Sequence, residues 1–215
     1  MQNRSKRAQR GFTLVELVTV VAIVLVLSAF AVISTSSSTQ NSKANAAAQT
    51  VVGQLRSARQ QAISLRRNIL VTFTLPNKIQ LAIETLTGEA PAAAIAPVYL
   101  NDNAAGGAQF CQISGMPDTP MGFGNSSPIT FQATSGGTSG LSVMYSSSGS
   151  MVGTTATAGF SSVGNSNPVN ASIFIGFPGQ PNTARAITVL GSTGRVRSYY
   201  WAGPASGGSS TNWNE

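Results

Sequence analysis

Between Gly11 and Ile33 the chain reads GFTLVELVTVVAIVLVLSAFAVI, an apolar run interrupted by one ionisable side chain, Glu16. Phe12 to Ile33 is 22 residues, which as a helix would extend roughly 33 Å, about the hydrocarbon thickness of a bilayer. The preceding MQNRSKRAQR carries Arg4, Lys6, Arg7 and Arg10 and no acid. That bias keeps the N-terminus cytoplasmic and sends everything after Ile33 across the membrane. A cleavable secretory signal would end at a small-residue site near Ala29 or Ala31, whereas here the run passes into SAFAVISTSSS with a polar helix continuing it.

An acid in hydrocarbon costs about 2.5 to 3.5 kcal/mol at mid-membrane and less near the end, so Glu16 calls for a partner. A cut between Gly11 and Phe12 would create an α-amino group at residue 12. Four residues apart on a helix, that amine and the Glu16 carboxylate share one face. The plainer alternative is an acid snorkelling from a simple anchor.

The remaining chain has room for one domain: 215 residues less an 11-residue leader leave 204. Cys111 is the sole cysteine, so no intramolecular disulfide forms, and histidine is absent. Those two facts remove metal sites built on His and Cys, and nucleophiles activated by a His. Asp102 and Asp118 sit in Gly/Pro-rich stretches with no second carboxylate at a useful spacing, and no GxxxxGK[ST] loop is present. The residue inventory thus reads as a protein that is not an enzyme and needs no cofactor or metal.

Residues 34–67 lack Pro and, until Gly53, Gly, so they can carry the helix onward. Val51, Val52, Leu55, Ala58, Ala62 and Leu65 recur at spacings of three and four and form a core-facing stripe. Arg56, Arg59 and Arg66 lie on the opposite side, with Arg67 near the helix end, and read as a solvated face. From Asn68 the period becomes extended: 69–75 and 79–86 form a hairpin around PNK. Residues 87–128 read as a long Gly/Pro-rich loop with a short strand at 98–100. Strands are expected at 129–133, 141–146, 172–177, 186–190 and 195–201, the last two joined by GSTG, and residues 202–215 read as a mobile tail.

A basic leader, then Gly11, then FTLVE opening an apolar helix, resembles the class III signal of type IV pilins and type II secretion pseudopilins. The resemblance implies that a prepilin peptidase cuts after Gly11 and N-methylates Phe12, and that Glu16 pairs with the amino terminus of a neighbouring subunit. The stretches LRSARQQAISLRRNILVTFTL (55–75) and ARAITVLGSTGRVRSYY (184–200) look like the GspH/FimT family. That likeness implies an α+β fold: a helix, membrane-spanning at 12–33 and amphipathic at 34–67, packed on an antiparallel β domain over 68–201. It also implies a single-pass inner-membrane subunit with its β domain in the periplasm, incorporated with other pilins or pseudopilins into a filament.

In some FimT-like members a glycine-arginine-x-arginine motif binds DNA, and Gly194, Arg195 and Arg197 match it. Beyond residue 40 there are nine Lys/Arg and five Asp/Glu, an excess compatible with a polyanion. Strand alternation would project Arg195, Arg197, Tyr199 and Trp201 together, two cations for phosphates and two aromatics for bases. The competing expectation is that the arginines are the wet face of a half-buried strand and that the protein serves pilus priming or secretion-pseudopilus assembly without DNA.

Overall fold

The computed structural model describes residues 12–84, 94–101, 107–133, 142–153, 168–203 and 212–215, with side chains placed except at 29–37 and 133. Gly11, Asp102 and the basic leader lie outside the described residues. The chain divides into two units, Met1–Thr39 and Gln40–Glu215, and helix α1 (Leu14–Leu65) has residues in both.

In the first unit the apolar side chains from Phe12 to Leu27 are exposed on every side of the helix. An all-round apolar surface without a core to bury it suits a lipid or another helix and not water. Among the described residues, no helix is long and apolar enough to cross a membrane; the expected span of 12–33 runs past Ser28 into side chains outside that set. Two hydroxyls inside the helix are satisfied by back-bonding: Thr19 Oγ1 donates to the Glu16 carbonyl (2.9 Å) and Ser28 Oγ to that of Val24 (2.7 Å).

In the second unit, α1 buries Ala44, Ala47, Ala48, Val51, Val52, Leu55, Ala58 and Ala62. The three alanines extend the stripe two turns earlier than the larger aliphatics reveal. Leu65, expected in that stripe, is 49 % exposed. It occupies the final helical position, where the chain turns through Arg66 in the left-handed region (φ 51°) instead of completing another turn over the core.

Two antiparallel sheets supply the other side of that core. The first contains β1 (Ile69–Thr74), β2 (Lys78–Ile83), β3 (Val98–Tyr99), β6 (Ser142–Tyr145) and β7 (Met151–Gly153), in the order β3-β2-β1-β6-β7. The second has the order β11-β10-β9-β8-β4, from β4 (Gln109–Phe110), β8 (Val169–Phe177), β9 (Gln180–Leu190), β10 (Arg195–Trp201) and β11 (Trp213–Asn214); β5 (Ile129–Ala133) also pairs with β8. Alternation along β1 buries Ile69, Val71 and Phe73 against the helix, and Ile173, Ile175, Ile187, Val189 and Val196 face the same cluster from the second sheet. β8 and β9 are buried on both faces because a smaller cluster of Phe174, Ala184, Ala186, Tyr199 and Trp213 covers their outer side.

The expected mobile tail is corrected at its end. Trp213 and Asn214 form β11, antiparallel to β10 with Trp201 opposite Trp213, and Trp213 is buried against Phe174. Its indole N–H donates to the Pro117 carbonyl at 3.1 Å. A large aromatic with both an apolar slot and a hydrogen-bond acceptor outweighs the Gly/Ser composition around it. Arg185 is the one buried charge among the described residues. Its Nε donates to Asn45 Oδ1 (2.6 Å) and Nη2 to Asn41 Oδ1 (3.5 Å), while Nη1 reaches the carbonyls of Ala184 (2.8 Å) and Asn182 (3.3 Å). Burial pulls its pKa below the usual guanidinium value.

Candidate functional site

At the start of the apolar helix, Glu16 occupies the third helical position after Thr13. Thr13 acts as the cap: its Oγ1 accepts from the Glu16 N–H (3.3 Å) and its carbonyl from the Leu17 N–H (3.2 Å). Thr13-Leu14-Val15-Glu16 has the T-x-x-E spacing of a capping box. A carboxylate in the first turn also faces the positive end of the helix dipole. The helix itself therefore gives Glu16 a local stabilisation that the apolar pattern concealed, and it leaves the side chain exposed.

In the second unit a hollow of about 890 Å³ opens between the C-terminal part of α1 and the β9–β10 hairpin. Arg56, Arg59, Gln60, Ile63 and Ser64 line it from the helix, Thr193 to Arg197 from the hairpin, and Glu215 from the residue after β11. Four guanidiniums thus share a groove with one carboxylate. Arg56 is exposed, as a solvated face requires, and Arg59 is half-buried; both stand in the same groove as Arg195 and Arg197. No local signal could have joined them, because the helix and hairpin are more than a hundred residues apart in sequence.

Arg59 is half-buried and acts as a brace. Its Nε donates to the carbonyls of Gly149 (3.2 Å) and Thr193 (3.1 Å), tying the β6–β7 turn to the β9–β10 turn. Gly194 makes that junction possible. Its φ is +64°, and a Cβ there would lie 2.2 Å from the Gly149 carbonyl oxygen and 2.8 Å from Arg59 Cδ. The glycine matching the arginine motif is thus fixed by backbone conformation and close approach. Tyr145, fully buried, has its pKa pushed up by burial, with the Arg59 charge acting in the opposite direction.

On β10, alternation does place Arg195, Arg197, Tyr199 and Trp201 on one face, with Leu190, Thr188 and Ala186 opposite the first three on β9. Their accessibility differs from expectation. Arg195 is exposed and Arg197 about one-third exposed, but Tyr199 is buried in the outer cluster and Trp201 is half-buried, 5.2 Å from Trp213 in an edge arrangement. The expectation that Tyr199 stacks on a base is corrected, since β11 and the segment around Met116 and Met121 cover that part of the sheet. Arg195 and Arg197 also line a second hollow of about 200 Å³ with Met121, Thr188 and Leu190. Arg197 Nη1 lies 3.5 Å from Glu215 Oε2.

Cys111 is half-buried, and burial pushes its thiol up to about 11, against a smaller opposing effect of a backbone hydrogen bond from Gly176. Such a thiol is a poor nucleophile at neutral pH.

Residues 6–32 match the prokaryotic N-terminal methylation motif. Within that match fall Gly11, Phe12 and Glu16. No curated protein matches the chain. Among solved structures, the Pseudomonas aeruginosa type IV minor pilin FimU is similar at 16 % identity and a TM-score of 0.42, covering 74 % of this chain and 90 % of that one. The minor pseudopilin EpsH of the Vibrio cholerae Type 2 Secretion System is similar at 13 % identity and a TM-score of 0.41, covering 74 % and 97 %. The α+β order, a long N-terminal helix before an antiparallel β domain, is the fold class expected from the sequence.

Proposed function

We propose that this chain is a membrane-anchored filament subunit of the pilin or pseudopilin class, cut by a prepilin peptidase between Gly11 and Phe12 and methylated on Phe12. The methylation motif over residues 6–32 carries this reading. The helix after the cut anchors in the inner membrane, the β domain lies in the periplasm, and Glu16 pairs with the amino terminus of a neighbouring subunit. Intact-mass analysis of the protein from its native membrane tests it. A chain starting at Phe12 and about 14 Da heavier than the unmodified one, the mass of one methyl, supports the reading; a start at Met1 or near Ala29–Ala31 overturns it. Glu16→Ala should still insert and be cut, because losing a charge makes the helix more apolar, yet enter filaments poorly. Normal incorporation would leave the carboxylate with only its place at the positive end of the helix.

The finer reading is that the groove takes DNA, as a minor pilin serving uptake in natural transformation would. Arg56, Arg59, Arg195 and Arg197 support it, one carboxylate among them. With Tyr199 buried and Trp201 half-buried, the groove offers phosphate contacts and little base stacking, so binding would be indifferent to sequence. The alternative is a GspH-like secretion pseudopilin or a pilus-priming subunit that binds no DNA; unchanged anisotropy of a labelled duplex at low salt would favour it.

A further inference from the structure

The arginine groove already contains an acid from its own chain. Glu215 follows β11, which the burial of Trp213 and the pairing of Asn214 with Tyr200 hold in place, so its carboxylate is delivered to Arg197 by a strand. Arg56 on the helix wall and Arg195 on the hairpin line the same groove with no carboxylate partner among the described residues. We infer that Glu215 is a built-in competitor of the groove's ligand: a phosphodiester backbone enters by taking Arg197 from Glu215, and Arg56 meets it from the helix wall opposite Arg195. The inference rests on the DNA reading above and adds to it a helix residue and a device that tunes affinity.

Competition leaves a signature in affinity, and the helix wall one in salt dependence. Each arginine that exchanges a condensed counterion for its own charge contributes roughly 0.9 to the slope of log affinity against log salt on duplex DNA. Arg197 releases the counterion condensed on the phosphate it reaches whether or not Glu215 held it before, so the acid leaves the slope nearly unchanged and lowers affinity by the ion pair that must be broken. Arg56 and Arg195 contribute to the slope in the same way and have no such pair to break. Glu215→Gln frees Arg197, so affinity at low salt should rise roughly two- to fivefold, the scale of an exposed ion pair, with the slope nearly unchanged. Arg56→Gln should flatten the slope by roughly 0.9.

The test is fluorescence anisotropy of a labelled duplex oligonucleotide with the full processed chain in nonionic detergent micelles, titrated between about 50 and 200 mM salt. Besides wild type, E215Q and R56Q, it uses R197Q and the double variant E215Q/R197Q; with Arg197 gone, removing Glu215 should raise affinity by clearly less than E215Q does alone. Lys43→Gln removes the same charge from an exposed helix position outside the groove and should leave the slope nearly unchanged. A wild-type affinity in E215Q, or an equal gain from losing Glu215 in the R197Q background, overturns the competition, and equal flattening by K43Q and R56Q overturns the helix wall. No binding by wild type or E215Q at low salt overturns the DNA reading itself, an outcome distinct from both.

Discussion

Gly194→Ala is the sharpest test of how the groove is built. The new methyl would meet two obstacles: a left-handed backbone at φ +64°, and the Gly149 carbonyl oxygen 2.2 Å away. The conformation alone costs about 1 to 2 kcal/mol for a residue with a Cβ. The carbonyl must also retreat, and with it goes the bond it accepts from Arg59 Nε, a charge-assisted hydrogen bond of about 1.5 to 3 kcal/mol. Together the change should cost about 3 to 5 kcal/mol, and at about 2 to 4 °C per kcal/mol for a chain of this size the midpoint should fall by about 6 to 20 °C. Thermal unfolding in nonionic micelles, followed by the fluorescence of Trp201 and Trp213, reads it. Gly53→Ala gives the opposite sign, because that glycine is exposed within α1 and a Cβ there meets nothing within 4 Å. It should gain up to about 1 kcal/mol from helix propensity. If Gly194→Ala loses less than about 1 kcal/mol, the two turns are not held together by this contact and the brace assigned to Arg59 is wrong.

Trp213→Ala should destabilise the β domain by about 3 to 5 kcal/mol, the cost of emptying a buried aromatic site, measured by denaturant unfolding; a loss near zero would restore the reading of the segment as a mobile tail. Cys111 should resist alkylation at pH 8 while the chain is folded and react fast once it is denatured. Because burial holds the folded thiol's pKa at about 11 against an ordinary 9, the unfolded thiol ionises first as pH rises, so this group's contribution is intact below pH 9 and is lost between 9 and 11. Rapid labelling of the folded chain at pH 8 would contradict the burial.

The elements that the sequence discloses are those with a strong period. Val51 to Ala62 shows a helix face, Ile69 to Phe73 an alternating strand, and GSTG a tight turn. Ala44, Ala47 and Ala48 give no core signal because alanine is as common on exposed helix surfaces, and their burial depends on how closely the sheets approach. β4 and β7 span two and three residues, too short for any period to register. The candidate site divides in the same way. Arg195 and Arg197 are visible as a local motif, and alternation assigns them to one face. Their company in the groove, Arg56, Gln60 and Glu215, comes from tertiary packing. Tyr199 shows the limit of alternation: it tells which face a side chain takes, and only the covering Trp213 tells whether that face is wet.

The Arg185 cluster has a mechanical side. Asn41 and Asn45 are four residues apart, one turn of α1, so a single guanidinium holds the helix at two points on one face while its remaining donors hold the backbone of β9. The second unit begins at Gln40, immediately ahead of that cluster. Any pull arriving along the helix from its apolar end therefore loads the Arg185 bonds before it reaches Val51 or Leu55. A lysine in that position would offer one point of attachment where the guanidinium offers several, and the first turn of the domain would then be free to fray under tension.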